Sequence, residues 1–259
     1  MPRPDLSALT RVPAGFARTR HAVPWWLGAP IMPLQGYRLM RTIPRFTDAE
    51  GTTGQVGTGQ RRMKVVALGD SVAAGYAIDH HRSAVAGQLA LRLAERHDAT
   101  VDWQACARSG ATAGDALDLV DSDALRDSDL VFVSIGVNDV KNLHSARRFR
   151  RDLGTLLDAV LAVGPRARLC LLGIPPLEHF PAFPSPLADA LGWRGRAFNV
   201  IGTELVAARD RALRIDADGP LEQRMFAGDG FHPSPALHAI FAESVMEQLE
   251  RTDADPRRP

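Results

Sequence analysis

The sequence has little net charge, little cysteine and no long apolar run. Its 31 basic and 30 acidic residues leave a formal charge of +1, so no overall field would attract a nucleic acid. The two cysteines, Cys106 and Cys170, have no metal-ligand spacing and lie in apolar stretches, which predicts buried thiols. No stretch approaches the roughly 20 apolar residues that a membrane-spanning helix needs. These absences predict an ordinary globular domain.

The most apolar early segment is 21–40, which contains Trp25 and Trp26 but is interrupted by three prolines. It lacks the small-residue cleavage site that follows a signal-peptide core. We interpret 1–46 as a partly apolar N-terminal arm that packs on the domain, in a cytoplasmic protein. The alternative is weak peripheral membrane contact through 21–40, in which both tryptophans sit at headgroup depth. Three arginines would lie beside them: Arg38, Arg41 and Arg45.

Residues 47–62 are rich in glycine and threonine and show no apolar periodicity, which predicts a linker. Their glycines do not form a dinucleotide loop, because such a loop follows a strand and these precede the first one. The main domain is then expected over 63–250, with a disordered C-terminal tail over 251–259.

Within 63–250, short runs of Val, Ile and Leu alternate with longer amphipathic stretches. The runs predict strands over Lys64–Leu68, Thr100–Gln104, Leu130–Ile135, Arg168–Leu172 and Ala212–Asp216. The amphipathic stretches predict helices over Ser83–Arg96, Gly114–Leu119, Ala146–Val163, Leu187–Arg211 and Pro235–Glu250. This alternation indicates an α/β domain with a parallel sheet covered by helices on both faces. Ligands of such sheets bind at the carboxyl ends of the strands.

Ser71 follows the first predicted strand directly, in the sequence Gly69-Asp70-Ser71. A serine at a strand-to-helix turn lies where backbone N–H groups and a helix N-terminus can stabilise negative charge. The same tripeptide also fits an ordinary helix N-cap. No Gly-x-Ser-x-Gly pattern occurs in the chain, so the nucleophile elbow of the α/β-hydrolase fold is not indicated.

Three further motifs follow later strands. Gly110 would allow close backbone approach to a ligand, and Asn138 would offer a neutral amide donor. Asp229 stands three residues before His232, a spacing that lets a carboxylate orient an imidazole. Each also has a structural interpretation, as a loop glycine, a turn-forming Asn-Asp pair or a surface turn. Seven other histidines are predicted to be solvated or in loops: His21, His80, His81, His97, His144, His179 and His238.

Together the four motifs resemble the SGNH family, also called GDSL hydrolases, over residues 63–250. The family's Ser, Gly, Asn and His correspond to Ser71, Gly110, Asn138 and His232. The blocks Gly-Val-Asn-Asp-Val at 136–140 and Asp-Gly-Phe-His-Pro at 229–233 are similar to those of bacterial members. The resemblance implies a three-layer α/β/α sandwich with a flavodoxin-like, mainly parallel five-stranded sheet. Two positions depart from the pattern: Val72 replaces leucine, and Ala105 replaces an asparagine that would support the Gly110 loop.

The resemblance also implies a serine hydrolase of carboxylic esters, of esterase or lipase type. Ser71 would be the nucleophile, His232 the base and Asp229 its orienting acid. The oxyanion hole would combine the backbone N–H groups of Ser71 and Gly110 with the amide of Asn138. No metal or other cofactor is needed.

The expected substrate is a small-molecule or lipid-like ester. The proline-stiffened apolar stretch 173–184 predicts substrate contacts by Ile174, Pro175 and Phe180, although it also fits a covering loop. Trp193 would line the same region or simply pack there. The alternatives are acyl transfer or carbohydrate deacetylation on the same fold, and a non-catalytic anion-binding protein. A sugar site usually exposes several aromatic side chains, and this chain has only 6% aromatics.

Overall fold

A six-stranded sheet forms the centre of the molecule in the computed structural model, which describes residues 30–217, 219 and 221–254. Trp25, Trp26 and His21 lie outside the described residues. The strands are β1 (Thr53–Val56), β2 (Arg61–Gly69), β3 (Ala99–Ala107), β4 (Leu130–Ser134), β5 (Arg168–Leu172) and β6 (Ala212–Ile215). The helices are α1 (Met32–Thr42), α2 (Val85–His97), α3 (Ser122–Leu125), α4 (Val137–Lys141), α5 (Ala146–Val163), α6 (Leu187–Ala207) and α7 (Pro235–Asp253).

The strand order is β1-β3-β2-β4-β5-β6, and every neighbouring pair except β1 with β3 is parallel. The predicted mainly parallel α/β architecture is therefore confirmed. In the register of the three central strands, Gly69 pairs with both Ala107 and Ser134. The carboxyl ends of β2, β3 and β4 are thus level, and the segments that follow them start side by side.

Alternate side chains of each central strand enter opposite layers of the core. Val66 and Leu68 pack in the layer of α5 and α6, whereas Val65 and Ala67 pack in the layer of α2 and α7. Each fully buried aliphatic side chain of this kind contributes about 1.5–3 kcal/mol relative to exposure. Burial on both faces explains why these strands appear in the sequence as continuous apolar runs.

The sheet has one strand more than the sequence predicts. Strand β1 lies inside the stretch 47–62, and β2 already begins at Arg61, so the interpretation of that stretch as an unstructured linker is wrong. β1 is an antiparallel edge strand with half-exposed residues. A Cβ at Gly54 would lie 2.1 Å from the Trp103 ring, so the glycine permits this pairing. A glycine-containing edge strand has no apolar alternation that would reveal it.

Two other boundaries differ. Helix α7 continues to Asp253, so the start of the predicted disordered tail is helical, and Asp253 forms an ion pair with Arg168 of β5. Inside the predicted arm, 32–42 forms helix α1, with Leu39 packed against the core. Of the helices in the described ranges, none has the length and apolar character needed to span a membrane.

Candidate active site

The chain leaves β2 through Gly69, whose φ of +134° lies in the region that favours glycine. A Cβ there would lie 2.0 Å from the carbonyl oxygen of Ser134, so any other residue would force β2 and β4 apart. Ser71 follows in a series of turns, and the next helix, α2, begins only at Val85. The sequence predicted either a helix N-terminus next to Ser71 or a helix N-cap formed by Gly69-Asp70-Ser71. Both predictions are wrong, because no helix begins at this turn.

Asp70 fixes this turn from inside the protein. Its carboxylate accepts hydrogen bonds from the Ser134 hydroxyl at 2.9 Å and from the Val72 backbone N–H at 3.1 Å. Burial raises the pKa of Asp70 to about 6, although both hydrogen bonds act in the opposite direction. Asp70 thus anchors the chain on either side of Ser71 to the end of β4.

The Asp229–His232 motif forms a tight turn in which both carboxylate oxygens are used. Oδ1 accepts the backbone N–H groups of Phe231 and His232, each at 2.9 Å, and Oδ2 lies 2.6 Å from Nδ1 of His232. Burial alone would raise the pKa of Asp229, but the hydrogen bonds from His232 and these backbone groups hold it below its ordinary value. The carboxylate therefore stays ionised and occupies Nδ1, which leaves Nε2 of His232 free of this contact.

Two aromatic rings hold the His232 imidazole. The ring centroids of Tyr76 and Phe231 lie 4.3 Å and 4.5 Å from that of His232. Tyr76 also accepts a hydrogen bond from the backbone N–H of Phe46 at 2.7 Å. Sequence reasoning missed Tyr76, because nothing in its neighbourhood indicates that it would face a histidine more than 150 positions away.

Ser71 and His232 both line a small cavity of about 40 Å³ at the carboxyl edge of the sheet. Ile174, Pro175 and Phe180 line the same cavity, so the structure brings these predicted substrate contacts to the predicted nucleophile and base. Trp193 is not part of this wall, and it is 53% exposed.

Gly110 and Asn138 are coupled to the turn that carries Ser71 but do not line this cavity. Gly110 has φ +87°, and the loop around it is tied to β2 by a bond from the Arg108 N–H to the Gly69 carbonyl at 3.0 Å. The Asn138 amide donates to the Ala111 carbonyl at 2.9 Å. These bonds support the loop in this chain, where Ala105 replaces the family's asparagine.

A second Asp–His pair lies next to Asn138. Asp139 is fully buried and accepts the Ala113 N–H at 2.9 Å, and its other oxygen lies 2.9 Å from Nδ1 of His144. Burial raises the pKa of Asp139, with the hydrogen bonds acting against it. His144 lies in a loop, as predicted, with its side chain only 12% exposed. The five-residue spacing of Asp139 and His144 could have suggested the pair.

His81 is buried but lies in a turn, which agrees with the predicted loop position, whereas His238 is buried inside helix α7, contrary to prediction. His238 accepts the Val85 N–H at 3.2 Å, and burial lowers its pKa to about 3. Of the thiols, Cys170 is buried and Cys106 half-buried, and burial raises the pKa of both, to about 12 and about 11. In the part of the chain that the structure describes, no group of three or more His, Cys, Asp or Glu side chains could hold a metal ion.

Comparison with solved structures shows the same fold in several hydrolases. A lipase from a goat rumen metagenome matches with a TM-score of 0.59 at 16% identity, covering 72% of this chain and 97% of that one. A family 3 carbohydrate esterase from Clostridium thermocellum matches at 0.55 and 17%, covering 75% and 100%. A carbohydrate acetylesterase from Sinorhizobium meliloti matches at 0.56 and 16%, covering 73% and 99%.

No curated protein matches the sequence. The model of the GDSL-like lipase/acylhydrolase family matches residues 67–240, which include the turn that carries Ser71, both Asp–His pairs, the end of β2 and the four strands β3 to β6. The chain belongs to the GDSL-like lipase/acylhydrolase family, the SGNH hydrolases.

Proposed function

We propose that this chain hydrolyses carboxylic esters with Ser71 as nucleophile, His232 as general base and Asp229 as the residue that orients and stabilises the imidazolium. The observation that carries the proposal is the 2.6 Å Asp229–His232 contact at the wall of a cavity that Ser71 also lines. A non-catalytic anion-binding site would have no use for an ionised, buried carboxylate held on a histidine.

In the proposed reaction, the Ser71 Oγ attacks the ester carbonyl carbon while its proton passes to Nε2 of His232. The tetrahedral intermediate collapses, the C–O bond to the alcohol breaks, and the departing alkoxide takes the proton from His232. A water molecule then attacks the acyl-enzyme with His232 again as base, which releases the acid and restores Ser71. These steps require only the chain's own groups.

The oxyanion hole in this proposal consists of the Ser71 and Gly110 backbone N–H groups and the Asn138 amide. Its support is indirect: the bonds from Arg108 to Gly69 and from Asn138 to Ala111 couple the three segments to one another. One amide hydrogen of Asn138 is used by Ala111, which leaves the other for the oxyanion. Ile174, Pro175 and Phe180 are proposed to contact the substrate next to Ser71.

Steady-state hydrolysis of nitrophenyl acetate and longer nitrophenyl esters tests the proposal. Loss of one oxyanion donor typically costs about 3 kcal/mol, so Asn138→Ala should lower kcat by roughly a hundredfold, and Ser71→Ala should lower it further. Ser83→Ala, an exposed serine in the following loop, is the matched control. Wild-type esterase activity in folded Ser71→Ala would refute the assignment. Acetate release from acetylated sugars, measured in parallel, tests the deacetylase alternative.

The proposal includes a cytoplasmic location with peripheral membrane contact through the outer face of α1. Leu34 and Tyr37 are both at least half exposed on that face, next to Arg38 and Arg41. The helix contains no acidic residue, so its charge suits an anionic lipid surface.

Co-sedimentation with phosphatidylglycerol and phosphatidylcholine vesicles tests this contact. Each arginine near an anionic surface contributes about 1 kcal/mol, so binding should favour phosphatidylglycerol and weaken in Tyr37→Ser and Arg41→Gln. Val200→Ser, an exposed apolar residue of α6, is the control. Equal binding to both lipids, or none, would refute this part of the proposal.

A further inference from the structure

A second, larger cavity of about 420 Å³ opens on the other side of His232. The inner face of α1 forms one wall through Gly36, Leu39 and Met40, a segment that precedes the family-matched residues 67–240. Its volume lies within the range of about 300–1,000 Å³ that is usual for small-molecule sites. The cavity is therefore a feature that the N-terminal segment adds to the common hydrolase domain.

Specific hydrogen bonds hold this wall against the domain. The Gln35 amide donates to the Ser185 carbonyl at 2.9 Å and accepts from the Leu187 N–H at 3.2 Å. Further along the chain, the Phe46 N–H donates to Tyr76, whose ring packs on His232. The segment that encloses the cavity is thus fixed at both ends, once to α6 and once to the candidate catalytic histidine.

Most of the cavity lining is apolar and includes three side chains opposite α1: Phe183, Leu187 and Leu191. The charged lining residues are Lys141 and Arg45, and no carboxylate lines the cavity. Neither cation takes part in the ion pairs formed by the described residues, and the Lys141 Nζ lies 4.8 Å from the centroid of the Phe231 ring. Lys141, which faces an aromatic ring and takes part in none of these ion pairs, is available to an anionic ligand in the cavity.

The environment of Lys141 agrees with a site for a charged ligand. Desolvation lowers the pKa of Lys141, while the negative charge of Asp70 acts in the opposite direction. An anion beside the Nζ would compensate the desolvation in the same way as Asp70 does, and would favour the charged ammonium.

We propose that this cavity binds an amphiphilic anion: an ester whose alkyl part packs on Leu39, Phe183 and Leu187 and whose anionic group meets Lys141 and Arg45. That the ligand is a substrate rests on the proposed ester hydrolysis, because the cavity shares His232 with the catalytic one. Binding itself does not depend on that function.

Competition by three octyl compounds tests the charge requirement: octyl phosphate, 1-octanol and octyltrimethylammonium. Each is added to nitrophenyl acetate hydrolysis, and its inhibition constant is measured. The inhibition constant of octyl phosphate should be about tenfold or more below that of octanol. The difference corresponds to one ion pair in a partly buried site. The cation should inhibit no better than octanol. Raising the salt to about 0.5 M should reduce the preference for phosphate.

Matched variants identify which positively charged side chains cause the preference for octyl phosphate. Lys141→Met removes the charge but keeps an unbranched apolar side chain, and it should reduce the phosphate preference to within about threefold, with a smaller loss in Arg45→Met. Arg62→Met removes an exposed arginine at the opposite end of β2 and should keep the preference. An equal loss in Arg62→Met, or the same inhibition by all three octyl compounds, would overturn the proposal.

Calorimetry separates this proposal from the catalytic one. Octyl phosphate should bind Ser71→Ala as tightly as wild type, and inorganic phosphate should bind far more weakly than octyl phosphate. If the enzyme hydrolyses no ester but this binding is found, the proposed hydrolysis fails and the amphiphile site stands. If esters are hydrolysed but octyl phosphate does not bind, the amphiphile site fails alone.

Discussion

Two Asp–His pairs in the described part of the chain have nearly the same geometry and different surroundings. In both, a carboxylate oxygen lies within hydrogen-bond distance of Nδ1, at 2.6 Å for Asp229–His232 and 2.9 Å for Asp139–His144. His232 lines both cavities of the site, whereas Asp139 holds the Ala113 backbone behind the candidate oxyanion residue Asn138. The pair alone therefore does not define a catalytic site; access to a nucleophile does.

The carboxylates of the two pairs also differ in the direction of their pKa shifts. Three hydrogen bonds hold the pKa of Asp229 below its ordinary value, whereas burial raises that of Asp139. The first carboxylate is suited to stabilise an imidazolium that forms during a reaction. The second suits a fixed hydrogen-bond network, and we interpret it as a support that holds the loop after β3 against Asn138 and the start of α4.

Replacing each histidine should separate the two pairs most strongly. His232→Ala removes the proposed base and should lower kcat for nitrophenyl acetate by roughly 10³-fold or more. His144→Ala should lower kcat by less than about tenfold and instead reduce the free energy of unfolding by about 1–3 kcal/mol, because Asp139 loses a buried partner. Steady-state kinetics and urea unfolding of both variants measure this. A larger kinetic loss in His144→Ala would reverse our assignment.

Replacing the two aspartates should give the same kind of contrast in kcat and stability, but a smaller one. Asp229→Asn keeps the shape of the turn and presents the wrong hydrogen-bonding group to His232, so kcat should fall by roughly 10³-fold while the protein stays folded. In Asp139→Asn the activity should change by about tenfold at most, with the main effect again on stability. The comparison would be broken if the two asparagine variants lost activity equally.

The third contrast is His238, a histidine outside both pairs, whose replacement should have the smallest effect on kcat and should change mainly the pH dependence of stability. His238 has a folded pKa of about 3, below the 6.5 of a free histidine, so the unfolded chain binds the extra proton first. Its contribution to stability is complete above about pH 6.5 and is lost as pH falls towards 3, by up to about 1.4 kcal/mol per pH unit. His238→Gln should flatten this part of the unfolding curve. An unchanged slope in the variant would contradict the account.

How much of the fold could be predicted from the sequence depends on whether the residues that determine each element lie close together in the chain. β5 and α5 have the predicted bounds, because a strand buried on both faces and a strongly amphipathic helix each carry their period in their own residues. Strand β1 was missed, because its pairing depends on Trp103 of β3, a contact far along the chain.

The contacts of the candidate site also differ in whether they join residues that are close in the sequence. Asp229 and His232 are close in sequence, so their contact follows from the spacing of the motif. Tyr76 beside His232 and Lys141 above Phe231 join segments whose approach only the folded sheet determines. The buried state of His81 and His238 likewise depends on packing and not on neighbouring residues.

Labelling with a fluorophosphonate probe tests the central claim most directly, because only an activated serine reacts rapidly with it. Mass spectrometry of the intact protein and its peptides should find one adduct per chain, on Ser71, absent in Ser71→Ala and greatly slowed in His232→Ala but not in His144→Ala. No adduct on the folded wild-type protein, or an adduct on another residue, would contradict the assignment of Ser71 and His232 as a catalytic pair.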